Sequence, residues 1–148
     1  MKNVLLITAL IIAGITVKAQ SIMKKEVPSS VSSAFDQKFP DMSTQDVNWD
    51  KEGENFQAEF EKEGKEYEVV FDNQGSWLST AIENINASEL PESISKQLST
   101  GEYSTWEIDD IMVKENPEEM IYQIEVEKGM KEHELYFDKS GKQVKEKS

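Results

Sequence analysis

YEVVFDNQG, at residues 67–75, decides how this chain is read, because it returns as HELYFDKSG at residues 133–141. The offset is 66 residues, and Glu68/Glu134, Val69/Leu135, Val70/Tyr136, Phe71/Phe137, Asp72/Asp138 and Gly75/Gly141 fall in matched places. Each copy reads as a strand running into a tight turn. Asp suits the first position of a type I turn, and Gly three residues on tolerates positive φ. The spacing predicts a duplicated chain.

Outward from the first copy, residues 55–62 (NFQAEFEK) alternate Phe56, Ala58 and Phe60 with Gln57, Glu59 and Glu61, as a half-buried strand does. Glu63-Gly64 predicts a hairpin turn into a strand over 65–72, with Tyr67, Val69 and Phe71 on its inner face. Residues 76–83 predict a fourth strand and residues 44–49 (TQDVNW) a first, with a polar turn over 50–54. Upstream, Val27, Val31, Phe35 and Phe39 recur every four residues, joined by Ala34, which is the apolar stripe of a helix. Pro28 fits the first helical turn, and Pro40 stops the helix at Phe39.

The second copy repeats this plan. Leu90-Pro91 matches Val27-Pro28, and Leu90, Ile94 and Leu98 repeat the helical stripe. Strands are predicted over 107–114, 120–128, 131–138 and 143–146, with Tyr122, Ile124 and Val126 matching Phe56, Ala58 and Phe60. The linker 84–89 is short enough to hold the repeats together, edge to edge or closely packed. The expectation is an α+β fold, a tandem repeat of one helix packed on a four-stranded antiparallel meander sheet. Repeat 1 takes 27–85 and repeat 2 takes 90–148, preceded by a flexible leader at 20–26. Phe71 and Phe137 are expected to be equivalent core residues under their own helices.

Residues 1–19 have the pattern of a secretory signal peptide. A basic start precedes a nearly unbroken apolar run over 4–17, and Ala19 offers a small residue for cleavage. The run is short for a membrane span, which leaves an uncleaved anchor as the weaker alternative. The protein is therefore expected to be periplasmic or secreted, without stable membrane insertion after cleavage. With no cysteine, neither disulfides nor lipid attachment through Cys is available.

The formal charge is −13. Cleavage removes Lys2 and Lys18, leaving 14 basic residues against 29 acidic ones, a charge of −15. Such a surface repels nucleic acid and anionic lipid, and favours a basic protein or a cation.

Catalytic signatures are missing. There is no nucleophile elbow, Gly-rich phosphate loop or Ser/His/Asp pattern. His133 is the sole histidine, so a zinc site is not expected, and it reads as an ordinary strand residue. The Asp-x-x-Gly turns lack the oxygen ligands and spacing of calcium loops. Glu107, Asp109 and Asp110 read as a solvated strand edge, with weak divalent binding as the other option. Trp49, Trp77 and Trp106 read as core beneath the helices or, alternatively, as an aromatic patch on the open sheet face. No enzyme, cofactor or metal ion is expected.

The motif [VL]-P-x-x-[VI]-x-x-x-[FL], a Trp-ending strand and Y/H-E-[VL]-x-F-D-x-x-G together resemble the PepSY-like, β-lactamase-inhibitor-like exported proteins of Bacteroidetes. The resemblance runs from Val27 to about Val144. It implies a duplicated helix on a four-stranded sheet and, by analogy of fold, an inhibitory or binding role. The disulfides of the inhibitor are absent here.

A sheet with its helices on one side leaves the other side for a partner. The expected contact face is Gln57, Glu59, Glu61, Glu68, Val70, Gln123, Glu125, Glu127, Glu134 and Tyr136. The expected function is an exported, non-enzymatic binding or inhibitory module that uses this face. The alternative is an acidic, cation-binding envelope protein without a dedicated protein partner.

Overall fold

Strand pairing in the computed structural model follows sequence order without a crossover. Residues 20–42 and 47–145 are described. The expected signal peptide lies outside them, as do the start of the strand expected over 44–49 and the last residues of the tail.

Among the described residues, nine strands form one antiparallel sheet: β1 Gln20–Ile22, β2 Asn48–Glu52, β3 Asn55–Lys62, β4 Lys65–Phe71, β5 Trp77–Glu83, β6 Glu107–Glu115, β7 Met120–Lys128, β8 Lys131–Asp138 and β9 Gln143–Val144. Helix α1, Ser29–Lys38, lies between β1 and β2, and α2, Glu92–Thr100, lies between β5 and β6. The class is α+β. Pro28 and Pro91 each cap the helix that follows, where a missing N–H costs nothing.

Alternation along the strands sorts side chains onto two faces, and one face of each half is closed by its helix. Val31 and Phe35 of α1 bury against Trp49, Phe56, Ala58, Phe60, Val69 and Phe71. Ile94 of α2 buries against Ile111, Ile124, Val126, Leu135 and Phe137. Phe71 and Phe137 are 1% and 2% exposed, each in the core under its own helix as expected. All three tryptophans lie on the helix side: Trp49 inside the first core, Trp77 against it, and Trp106 against the second. They are not an aromatic patch on the open face.

The repeated turn explains its own motif. Asp72 Oδ1 accepts the backbone N–H groups of Gln74 (2.9 Å) and Ser76 (2.8 Å). Asp138 Oδ1 likewise accepts those of Ser140 (2.8 Å) and Lys142 (3.0 Å). These bonds hold both carboxyls below the usual range, led by the Ser76 amide at Asp72 and the Ser140 hydroxyl at Asp138. Gly75 and Gly141 sit at φ 86° and 85°. A Cβ on Gly75 would stand 2.5 Å from the carbonyl oxygen of Ser30. Glycine is thus needed twice over, for its backbone angle and because the turn abuts the first turn of α1.

Of the two arrangements expected for the repeats, edge-to-edge pairing is the one found: β5 pairs with β6 through Thr80↔Glu115, Ala81↔Lys114 and Ile82↔Val113. Three expectations change. The segment read as a flexible leader contributes β1, whose Ile22 lies opposite Trp49 and packs on the first core. Strand β2 runs on to Glu52, shrinking the polar turn to Gly53-Glu54; Gly53 at φ 62° lets Glu52 pair directly with Asn55. The last strand shortens to two residues. In β6, the register shifts between Ile108 and Asp110, which turns Ile111 and Val113 toward the helices.

Candidate functional site

The sheet face away from the helices gathers the ten residues expected to form a contact surface. Cross-strand register sets Gln57 opposite Val70 and Glu59 opposite Glu68. It sets Gln123 opposite Tyr136 and Glu125 opposite Glu134. Glu61 and Glu127 extend the two blocks, opposite Glu66 and Glu132. All ten alternate with the buried side chains of β3, β4, β7 and β8, so they share one side.

The structure adds residues that the sequence reading omitted. Glu83 lies beside Glu66, and Asp110 beside Glu125. Met112 stands opposite Gln123 and is only 3% exposed. Lys114 lies between Ala81 and Ile121, in the row that begins Glu59–Glu68. The bulge in β6 hid Asp110, Met112 and Lys114, since it breaks the two-residue period that assigns a face. The pairing of β5 with β6 joins the blocks into one surface.

Carboxylates stand directly across from carboxylates here, an arrangement that destabilises a sheet. Glu68 is pushed up from 4.5, first by burial and then by Glu59, Glu83 and Glu52, with Lys114 opposing. Glu83 is raised by burial, Glu66 and Asp110. Glu125 is raised by burial, then by Asp109, Glu132, Glu134 and Asp110. Hydrogen bonds relieve part of the crowding: Gln57 Nε2 donates to Glu59 Oε1 (2.7 Å), Gln123 Nε2 to Glu134 Oε1 (3.3 Å), and the Tyr136 hydroxyl to Glu134. The Gln123 Oε1 atom is buried without a hydrogen-bond partner. Chemically, the face offers anionic acceptors around the apolar groups of Val70 and Tyr136, with Met112 buried among them.

The remaining candidates fall elsewhere. His133 is exposed on the helix side, its ring 5.1 Å from that of Trp106 and 5.7 Å from that of Tyr103. Asp72 and Asp138 spend their carboxylates on backbone amides. Among the described residues, no group of three or more His, Asp or Glu is placed to hold a metal ion. No described helix is long and apolar enough to cross a membrane.

Comparison with known families gives two matches to the PepSY-like, beta-lactamase-inhibitor-like family, over residues 14–65 and 54–145. The chain belongs to this family. No curated protein matches it. A BLIP-like protein of Bacteroides fragilis is similar at 29% identity and TM-score 0.67, covering 81% of this chain and 85% of that one. A DUF2874-family protein of Bacteroides ovatus shares the fold at 23% identity and TM-score 0.66, covering 80% and 84%. A protein of Bacteroides eggerthii described as periplasmic has the same fold at 20% identity and TM-score 0.66, covering 80% and 86%. This PepSY-like chain places its two helices on one side of the sheet, so its acidic side is uncovered by either.

Proposed function

We propose that this PepSY-like protein is an exported, non-catalytic binding or inhibitory module. Its two halves derive from one unit of a helix and four strands. Its helix-free sheet face meets a basic surface on a periplasmic or extracellular protein. The observation that carries this reading is the juxtaposition Glu59↔Glu68 and Glu125↔Glu134 on one partly buried face. Like charges held opposite one another oppose folding. Lys and Arg side chains from a partner would relieve that repulsion and gain charge-assisted hydrogen bonds. The periplasmic description of the B. eggerthii relative and the inhibitor-like description of the family support export and binding.

The test is affinity capture from a periplasmic extract with the wild type and with Glu59→Lys/Glu125→Lys and Tyr136→Ala variants. A partner recovered by the wild type, released by moderate salt and lost from the variants supports the reading. If the variants recover every partner that the wild type does, the face assignment fails.

A further inference from the structure

The two halves differ at one edge. In the first half, β5 covers the outer edge of β4, with Glu66↔Glu83, Tyr67↔Ile82, Glu68↔Ala81 and Val69↔Thr80. In the second half, β9 meets β8 only at Tyr136↔Val144 and Phe137↔Gln143. Among the described residues, no strand pairs with the outer side of Glu132, His133, Glu134 or Leu135. Backbone direction there is set by the turn, where the Asp138 N–H donates to the Lys142 carbonyl at 2.9 Å. Alternation then turns the N–H and C=O groups of Glu134 and Glu132 outward as well. Both residues are exposed.

Side chains around this edge define what would fit. A residue opposite Leu135 would stand where Thr80 stands opposite Val69, a position 4% exposed in the first half. At the matching place lies a groove of about 230 Å³, lined by Gln97, Leu98, Tyr103, Leu135, Phe137 and Gln143. Ile82 fills the next position in the first half, opposite Tyr67; its counterpart here would lie beside His133, Tyr103 and Trp106. On the other face, Glu132 and Glu134 stand beside Glu127 and Glu125 of β7.

We propose that the β8 edge accepts an extended segment of another protein as an added antiparallel strand. Its apolar side chains point toward α2, and its Lys or Arg side chains point toward Glu132 and Glu134. A second copy is a poor occupant, since β8 against β8 brings the Glu132 and Glu134 carboxylates of both chains onto one face. The chain's own next residues also have the wrong alternation. Continued in register, Glu146 would oppose Glu134 and Lys147 would oppose His133. This edge site shares Glu134 with the acidic face but needs the outward backbone groups of β8 and not Glu59 or Glu68, so either reading can fail alone.

The experiment is fluorescence anisotropy with a capped, labelled seven-residue peptide alternating Lys and Val, and with two N-methylated forms of it. Peptide residues opposite Glu132 and Glu134 form the hydrogen-bonded pairs, and these are the lysines. Methylating the lysine amides should weaken binding about tenfold or more, while methylating the valine amides should not. Glu134→Pro, which removes an outward N–H, should also abolish binding at an unchanged melting temperature. If that variant misfolds, Glu132→Pro supplies the same test at the next outward N–H. Glu59→Lys/Glu68→Lys should leave peptide affinity unchanged, which separates this site from the acidic face. Equal binding of both methylated peptides would overturn the proposal. So would slow hydrogen exchange of the Glu132 and Glu134 amides before peptide is added, because the edge would then be filled by a second copy or by the chain's own tail.

Discussion

One hydrophobic pattern builds two different interiors in the two halves. The first core is aromatic: Phe35 meets Trp49 edge-on at 5.4 Å and Phe60 at 5.5 Å, and Phe60 stacks on Tyr67 at 5.1 Å. The second core is aliphatic, built on Ile94, Ile111, Ile124, Val126 and Leu135 around Phe137. Its rings, Tyr103, Trp106 and His133, sit at the margin. Thr80 closes the first half and accepts a hydrogen bond from Trp77 Nε1 at 2.9 Å, whereas the second half has a groove at that place. Apolar spacing fixes which face is buried but not how densely that face is filled. The half with the fuller edge is also the half with the ring-packed core.

The largest expected effects come from the matched phenylalanines. Phe71→Ala and Phe137→Ala should each cost about 3–5 kcal/mol in denaturant unfolding, with Phe71→Ala the costlier. Phe137 borders the groove, so its loss leaves less well-packed volume behind. An equal cost at both sites would mean that the groove does not soften the second core.

Next come the turn glycines. Gly75→Ala and Gly141→Ala should each destabilise by about 1–3 kcal/mol, because both require left-handed backbone. A Cβ at Gly75 meets the backbone of Ser30, whereas at Gly141 it meets first the side chain of Ser93. Replacing Ser93 by Gly should therefore rescue part of the Gly141→Ala loss. Ser30→Gly should rescue none of the Gly75→Ala loss. Thermal melts of the four variants and two doubles would show whether the obstacles differ.

The pH profile separates face from turn. Glu68, Glu83 and Glu125 titrate above their ordinary value of 4.5 in the folded chain, so the fold takes up protons there. Their contribution is full below 4.5 and is lost as pH rises through the raised values. Mild acid should therefore raise the melting temperature, and Glu68→Gln should flatten that limb. Asp72 and Asp138 titrate below 3.8; their contribution is present above that value and is lost as pH falls through the lowered ones. Asp72→Asn should flatten the acid limb. A melting temperature that falls on going from neutral to mildly acidic pH would contradict the crowding on the open face.

The smallest effect concerns the linker. Lys65 pairs with Glu89, which also accepts from the Asn86 amide, and so ties the linker to the β3–β4 hairpin. Lys65→Ala should move the melting temperature only slightly, as expected of an exposed ion pair. Its counterpart Lys131→Ala should do no more. A large loss at Lys65 alone would show that the linker holds the halves in register.

The sequence by itself determined what depends on side-chain period and turn chemistry. It set the two helical stripes, the inner faces of β3, β4, β7 and β8, the Asp–Gly turns and the ten residues of the acidic face. Each of these signals lies within a few residues, where alternation or a special φ leaves a compositional mark. Only the tertiary structure decided that β1 exists, that β5 joins β6 in one sheet, that the β6 bulge brings Asp110, Met112 and Lys114 to the face, and that, among the described residues, little of the outer edge of β8 is covered. Strand pairing is made by backbone N–H and C=O groups that nearly every residue carries. Which edge meets which therefore leaves little trace in residue identity.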